Sequence, residues 1–115
     1  MGQMCSYRFV VILKPVALIE WDPAKERSNV RKHGISFDVA RRVFDDPDAI
    51  SDRDRFEGGE YRWQTIGLVN GVTLLTVAHT VRHGMETETI RIISARRAIS
   101  SERRRYEAEI DTSQW

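Results

Sequence analysis

Residues 61–81 read YRWQTIGLVNGVTLLTVAHTV, and the Asn70-Gly71 pair at their centre decides the fold. Asparagine and glycine tolerate the positive φ angles that a tight type I′ hairpin imposes on both central residues. Two strands are therefore expected, over residues 61–69 and 72–81. The second is apolar on both faces, with Val72, Leu74 and Ala78 on one and Leu75, Val77 and Val81 on the other. Such a strand belongs in the middle of a sheet with helices over it.

Downstream of the hairpin, residues 82–88 read as a polar turn and 89–95 as a last strand. Ser100 then caps a C-terminal helix with Ile99, Tyr106 and Ile110 on its core side. Upstream, residues 49–54 alternate and are a candidate strand, and 55–59 read as a loop. Further back, VALIEW at residues 16–21 is a β-type run. Asp22-Pro23 behind it is a helix N-cap with proline at the first helical position, and His33-Gly34 supplies the glycine stop. This helix carries Lys25, Glu26, Arg27, Arg31 and Lys32 with little apolar content, so it is a surface helix. Ser36 caps a second helix in which Phe37, Ala40, Val43 and Phe44 recur at three- and four-residue steps, until Asp45-Asp46-Pro47 ends it.

The expected architecture is α+β: two N-terminal helices, a three- to four-stranded largely antiparallel sheet, and a C-terminal helix. A chain of 115 residues and 13.3 kDa suits one domain. Residues 1–18 read as an N-terminal extension or extra strand, 19–110 as the domain and 111–115 as a tail. The apolar run 9–13 is too short for a secretory core and is interrupted by Lys14 and Pro15, and no stretch is long enough to span a membrane. The lone Cys5 permits no intramolecular disulfide and fits a reducing cytoplasm.

The net charge of +1 conceals an uneven distribution. Residues 90–106, IRIISARRAISSERRRY, hold Arg91, Arg96, Arg97, Arg103, Arg104 and Arg105 against one acid, Glu102. That concentration points to an anionic partner, RNA or an acidic protein. Strand alternation puts Arg91, Ile93 and Ala95 on one face and Ile90, Ile92 and Ser94 on the other. Arg91 either pairs with a neighbouring acid such as Glu60 or holds a phosphate bidentately. Arg96 and Arg97 end the strand beside a helix N-terminus, where backbone N–H groups also favour anions.

His33, His79 and His83 are candidates for proton transfer, and His79, on the inner hairpin strand, reads as packed. No HExxH, cysteine–histidine, GxSxG, P-loop or dinucleotide pattern occurs, so neither metal nor cofactor is expected. RNA can be cut without a metal if a base removes the 2′-OH proton, a cation stabilises the added phosphate charge and an acid protonates the leaving oxygen. Arginines would supply the cation, His33, Glu60 or Tyr106 would move protons, and Trp63 or Tyr61 would stack on a base.

Several segments taken together carry a resemblance. They are Glu20-Trp21-Asp22 with Lys25, Arg31-Lys32-His33-Gly34-Ile35-Ser36-Phe37, Val43-Phe44-Asp45-Asp46-Pro47, Arg62 with Ile66-Gly67, and Arg91-Ile92-Ile93-Ser94-Ala95-Arg96-Arg97 followed by Glu102-Arg103 and Tyr106. In this order they resemble the BrnT family of toxins, over about residues 19–107. The resemblance implies a RelE-like fold and a ribonuclease toxin of a type II toxin–antitoxin pair that cuts RNA and inhibits translation. It also implies a BrnA-type antitoxin as partner, with DNA reached only through that complex. His33, Arg91, Arg96, Arg97 and Tyr106 become the expected catalytic positions, and Lys25, Lys32, Arg62 and Arg103 the expected substrate-binding ones. The alternative is a basic binding module without catalysis that acts with its antitoxin as a transcriptional regulator.

Overall fold

The computed structural model describes residues 16–85 and 87–113. Strand β1 (Val16–Trp21) leads into helix α1 (Pro23–His33) and then α2 (Phe37–Ala40), which continues as a 3-10 turn over Arg41–Asp45. Strands β2 (Ile50–Glu57), β3 (Glu60–Val69), β4 (Thr73–His83) and β5 (Thr87–Arg97) follow, and helix α3 (Ser100–Ser113) closes the chain. The sheet order is β1-β5-β4-β3-β2. Neighbours are antiparallel except β1, which runs parallel to β5.

The class is α+β as expected, but the sheet has five strands rather than three or four. The added strand is β1, and β2 is longer than expected. VALIEW joins the sheet as an outer strand, pairing Val16 with Thr87 through Trp21 with Ile92. Residues 55–57, read as loop, extend β2, because Gly58 and Gly59 at φ 62° and 82° turn the chain at once into β3. The DRDRFE segment gives little apolar signal because β2 is an outer strand with exposed side chains, and its charges discourage pairing with another chain. The expected extension at residues 1–15 lies outside the described residues, while 16–18 belong to β1.

The turn chemistry behaves as read. Asn70 and Gly71 have φ of 56° and 72°, and the Val72 N–H donates to the Val69 carbonyl at 3.1 Å. β4 occupies the centre of the sheet, with Leu74, Leu75 and Val77 buried. Asp22 accepts from the Ala24 N–H at 2.9 Å, and Gly34, at φ 73°, donates to the Val30 carbonyl at 2.8 Å. The second helix is shorter than its apolar stripe suggests, yet Phe37, Ala40 and Val43 are all fully buried against Leu75, Val77, Ile92 and Ala95.

One polar residue on the surface helix is buried. β1 ends at Trp21, so beyond Ile92 the outer edge of β5 has no strand beside it. Asn29 takes that place: its Oδ1 accepts the Ala95 N–H at 3.0 Å, and its Nδ2 donates to the carbonyls of Ala95 and Ile35, both at 2.9 Å. Buried backbone groups require such partners.

Gly67 marks the closest approach of helix layer and sheet. A Cβ there would lie 2.8 Å from Val43 Cβ and 2.9 Å from the Val43 carbonyl oxygen. Backbone cannot yield as a side chain can, so Gly67→Ala is expected to cost about 1–3 kcal/mol. A lowered urea midpoint with an unchanged denaturant slope would register it.

Candidate nucleic-acid interface

Pairing register assigns every strand residue to a face, because paired residues point the same way. Toward α1 and α2 point Trp63, Thr65 and Gly67 of β3 with His79, Val77 and Leu75 of β4. Toward α3 point Arg62, Gln64 and Ile66 of β3 with Thr80, Ala78 and Thr76 of β4, and with Arg91, Ser94 and Arg96 of β5. The face of β5 changes midway: a bulge opposite Ala78 and His79 leaves Ile93 unpaired, so Ile92 and Ala95 both enter the helix-side core. The expected grouping of Arg91 with Ile93 and Ala95 fails for that reason.

α3 covers one end of its face, where Tyr106 packs with Ile66 and Leu74, flanked by Ile50, Leu68, Ala98 and Ile110. Beyond it a row crosses all five strands: Arg55, Arg62, Thr80, Arg91 and Glu20. Most arginines here are paired. Arg91 meets Glu20 at 3.1 Å rather than Glu60, which meets Arg82 at 3.6 Å. Arg55 meets Glu57 at 3.0 Å, and Arg105 pairs with Asp52. Arg62 differs: among the described residues, its Nε is buried with no hydrogen-bond partner, and it forms no salt bridge. A buried donor left unpaired costs about 1–3 kcal/mol, which an incoming anion would recover.

Two junctions tie α3 to this face. Glu102 accepts two bonds from Arg96, both at 2.9 Å, plus the Thr76 hydroxyl and the Ile99 N–H, each at 2.9 Å. The Arg96 bonds above all hold its carboxyl down at about 2, and Arg96 is raised in return. Because the Arg103 N–H donates to the Ile99 carbonyl, Ile99 rather than Ser100 is the cap, and Glu102, the third residue of the helix, supplies half of a capping box. The second junction is Tyr106, whose hydroxyl donates to Asp46 Oδ2 at 2.5 Å. The Leu68 N–H donates to the same oxygen at 2.8 Å. Burial and the Asp46 carboxylate raise the Tyr106 phenol. Burial alone would raise Asp46 too, but its bonds from Tyr106, Leu68 and Asp48 win and lower it.

The expected clamp of Arg91, Arg96 and Arg97 is divided. Consecutive strand residues alternate, so Arg97 points to the helix side. There it borders a groove of about 520 Å³ with Gly34, Ile35, Val39, Val69 and Leu75. His33 ends α1 and is exposed, and Lys25 and Lys32 are exposed on the same helix. Arg103 is exposed on α3.

His79 is packed as its position suggests, at 2% exposure. Its Nδ1 lies 3.3 Å from the Thr80 carbonyl, which can only accept, so Nδ1 carries the proton. Nε2 then accepts from the Thr65 hydroxyl at 2.7 Å, and Thr65 Oγ1 in turn accepts from Ser51 at 2.7 Å. Phe44 stands edge-on to the ring at 4.9 Å. Burial pushes the imidazole down to about 4.

Asn29, Asp46 and Glu102 are the residues the sequence reading passed over. Asp46 read as a helix stop, and Glu102 lacked the serine or threonine that usually opens a capping box. Asn29 had no local signal, since its partner lies 66 positions away.

Residues 21–102 match the family model described as "Ribonuclease toxin, BrnT, of type II toxin-antitoxin system". The chain belongs to the BrnT family of ribonuclease toxins. It is similar to the crystal structure of the Brucella abortus ribonuclease toxin BrnT, with a TM-score of 0.55 at 25% identity over 74% of this chain and 99% of that one. No curated protein matches the chain significantly. Among the described residues, no three His, Cys, Asp or Glu side chains gather as metal ligands, and no helix is long and apolar enough to cross a membrane.

Proposed function

We propose that the chain is a metal-independent, RelE-like endoribonuclease that cuts cellular RNA in the cytoplasm and so blocks translation. A BrnA-type antitoxin neutralises it, and the pair meets DNA only through that antitoxin. The observation that carries this reading is Arg62, half-buried on the sheet face beside α3 with an unpaired Nε. In the reaction, the 2′-OH loses its proton, its oxygen attacks phosphorus, and the 5′ oxygen leaves with a proton, giving a 2′,3′-cyclic phosphate. Arg62 donates to the non-bridging oxygens as charge builds on them. Arg91, two strands across in the same row, and Arg96, on the same face nearer α3, are able to exchange Glu20 and Glu102 for phosphate.

In this reading Tyr106 positions α3 through Asp46, and solvent water carries the protons. His33, Lys25, Lys32 and Arg97 hold RNA on the helix side, and Arg103 holds it along α3. The noncatalytic module is the second reading. It is favoured by one feature, that among the described residues no histidine lies on the Arg62 face.

Purified protein incubated with RNA in EDTA and in magnesium separates the two readings once the new ends are mapped. Fragments ending in cyclic phosphate in both buffers are expected. Arg62→Ala should cut about a hundredfold more slowly without any loss of stability. Intact RNA in both buffers, with a stable antitoxin complex, would leave the binding module.

A further inference from the structure

The helix layer does not reach the far end of the β2–β3 hairpin, and the uncovered helix-side surface there is aromatic. Phe56 and Tyr61 are 62% and 47% exposed, and their rings meet edge-on at 4.9 Å. Register puts Trp63 on the same face. The guanidinium of Arg53 lies over Tyr61, 4.4 Å from the ring centre, and 5.8 Å from that of Trp63. Beside these rings lies a depression of about 780 Å³, closed by Val81 and His83.

Arg53 is held by rings rather than by a carboxylate. Of the hairpin's four acids, Asp52 pairs with Arg105, Glu57 with Arg55 and Glu60 with Arg82, while Asp54, in the bulge beside Arg53, forms no ion pair among the described residues. Arg53 is exposed, and nucleobases stack on guanidinium planes and aromatic rings alike. The surface contrasts with the groove at Arg97, whose apolar lining is aliphatic, from Ile35, Val39, Val69 and Leu75. Aliphatic walls offer no flat plate for a base. Flat rings interleaved with a free cation suit bases joined by phosphates.

We infer that the helix-side surface of the β2–β3 hairpin is a stacking site for unpaired bases of single-stranded RNA, with Tyr61, Phe56 and Trp63 as plates and Arg53 as their cation. The inference rests on the ribonuclease reading but occupies the opposite sheet face from Arg62. It gives the protein a way to hold the strand by its bases across the sheet from the cut.

The test uses a short fluorescein-labelled DNA strand, which lacks the 2′-OH and is not cut, and the same strand with its bases removed. Fluorescence anisotropy reads the affinity. Tyr61→Leu and Phe56→Leu are each expected to weaken binding of the intact strand about tenfold and to leave the abasic strand unaffected. Tyr61→Phe, which keeps the ring, should bind as wild type. Unchanged affinity in Tyr61→Leu overturns the inference, as does an equal loss for both strands, which would mean contact with the backbone. Retained DNA affinity with loss of the antitoxin complex overturns it too, and would assign the surface to a protein partner. RNA cutting by the unmodified protein is scored separately. Its absence counts against the ribonuclease reading, while discrimination between intact and abasic strands still decides the stacking site.

Discussion

Asn29→Ala is expected to lower the stability of the protein by about 3–5 kcal/mol, a large share of what a domain of this size possesses. The side chain contributes three hydrogen bonds, and its loss strands three backbone groups: the N–H and carbonyl of Ala95 and the carbonyl of Ile35. Water cannot easily replace them, since Asn29 is 5% exposed and Ala95 is fully buried. Asn29→Asp is a sharper case, because it keeps the acceptor for Ala95 but sets a carboxylate against two carbonyl oxygens. Both variants should show a lowered urea midpoint, and hydrogen exchange should find the Ala95 amide deprotected ahead of its neighbours in β5. A variant as stable as the parent would mean that the β5 edge is satisfied some other way.

Acid is expected to weaken the fold in two successive steps. Burial depresses His79 to about 4 in the folded state against 6.5 when free. The unfolded chain therefore binds the extra proton first, and stability that is complete above pH 6.5 is lost as the pH falls toward 4. Glu102 follows, held at about 2 against 4.5 chiefly by Arg96, so its contribution is present above pH 4.5 and disappears as the pH falls toward 2. Each group accounts for up to about 3 kcal/mol. Urea unfolding at a series of pH values measures both steps. His79→Gln should flatten the dependence between pH 6.5 and 4 and leave the lower step intact. The order follows from structure: burial keeps the proton out of the Ser51–Thr65–His79 chain until the molecule opens, whereas Glu102, which ties α3 to the sheet through Arg96, resists protonation to lower pH.

The elements legible in the sequence were those governed by neighbours. Asn70-Gly71 announced a turn because both residues tolerate its positive φ angles, and Asp22 with Gly34 framed α1 by local bonds alone. His79 read as packed because the strand around it is apolar on both sides. What escaped were features settled by distant chain. The parallel pairing of β1 depends on residues some seventy positions later, and nothing in VALIEW says which edge it will join. The bulge at Ile93 left the arginine motif intact while reversing which residues share a face, and alternation sent Arg96 and Arg97 to opposite sides. In the candidate site, composition revealed the arginines, but only geometry separated those with carboxylate partners from Arg62 and Arg53.

The parallel ladder between β1 and β5 also bears on how the molecule assembles. Its salt bridge, Arg91 to Glu20, joins residues 71 apart, whereas the β2–β3, β3–β4 and β4–β5 pairs close short loops between consecutive strands. Local closures come cheaply in chain entropy and distant ones late. The hairpin sheet can therefore form first, with β1 arriving after the rest is in place. Interactions absent from the folding barrier govern the rate of opening rather than of closing. The first strand of the sheet is thus the last to join and the one through which the fold begins to come apart.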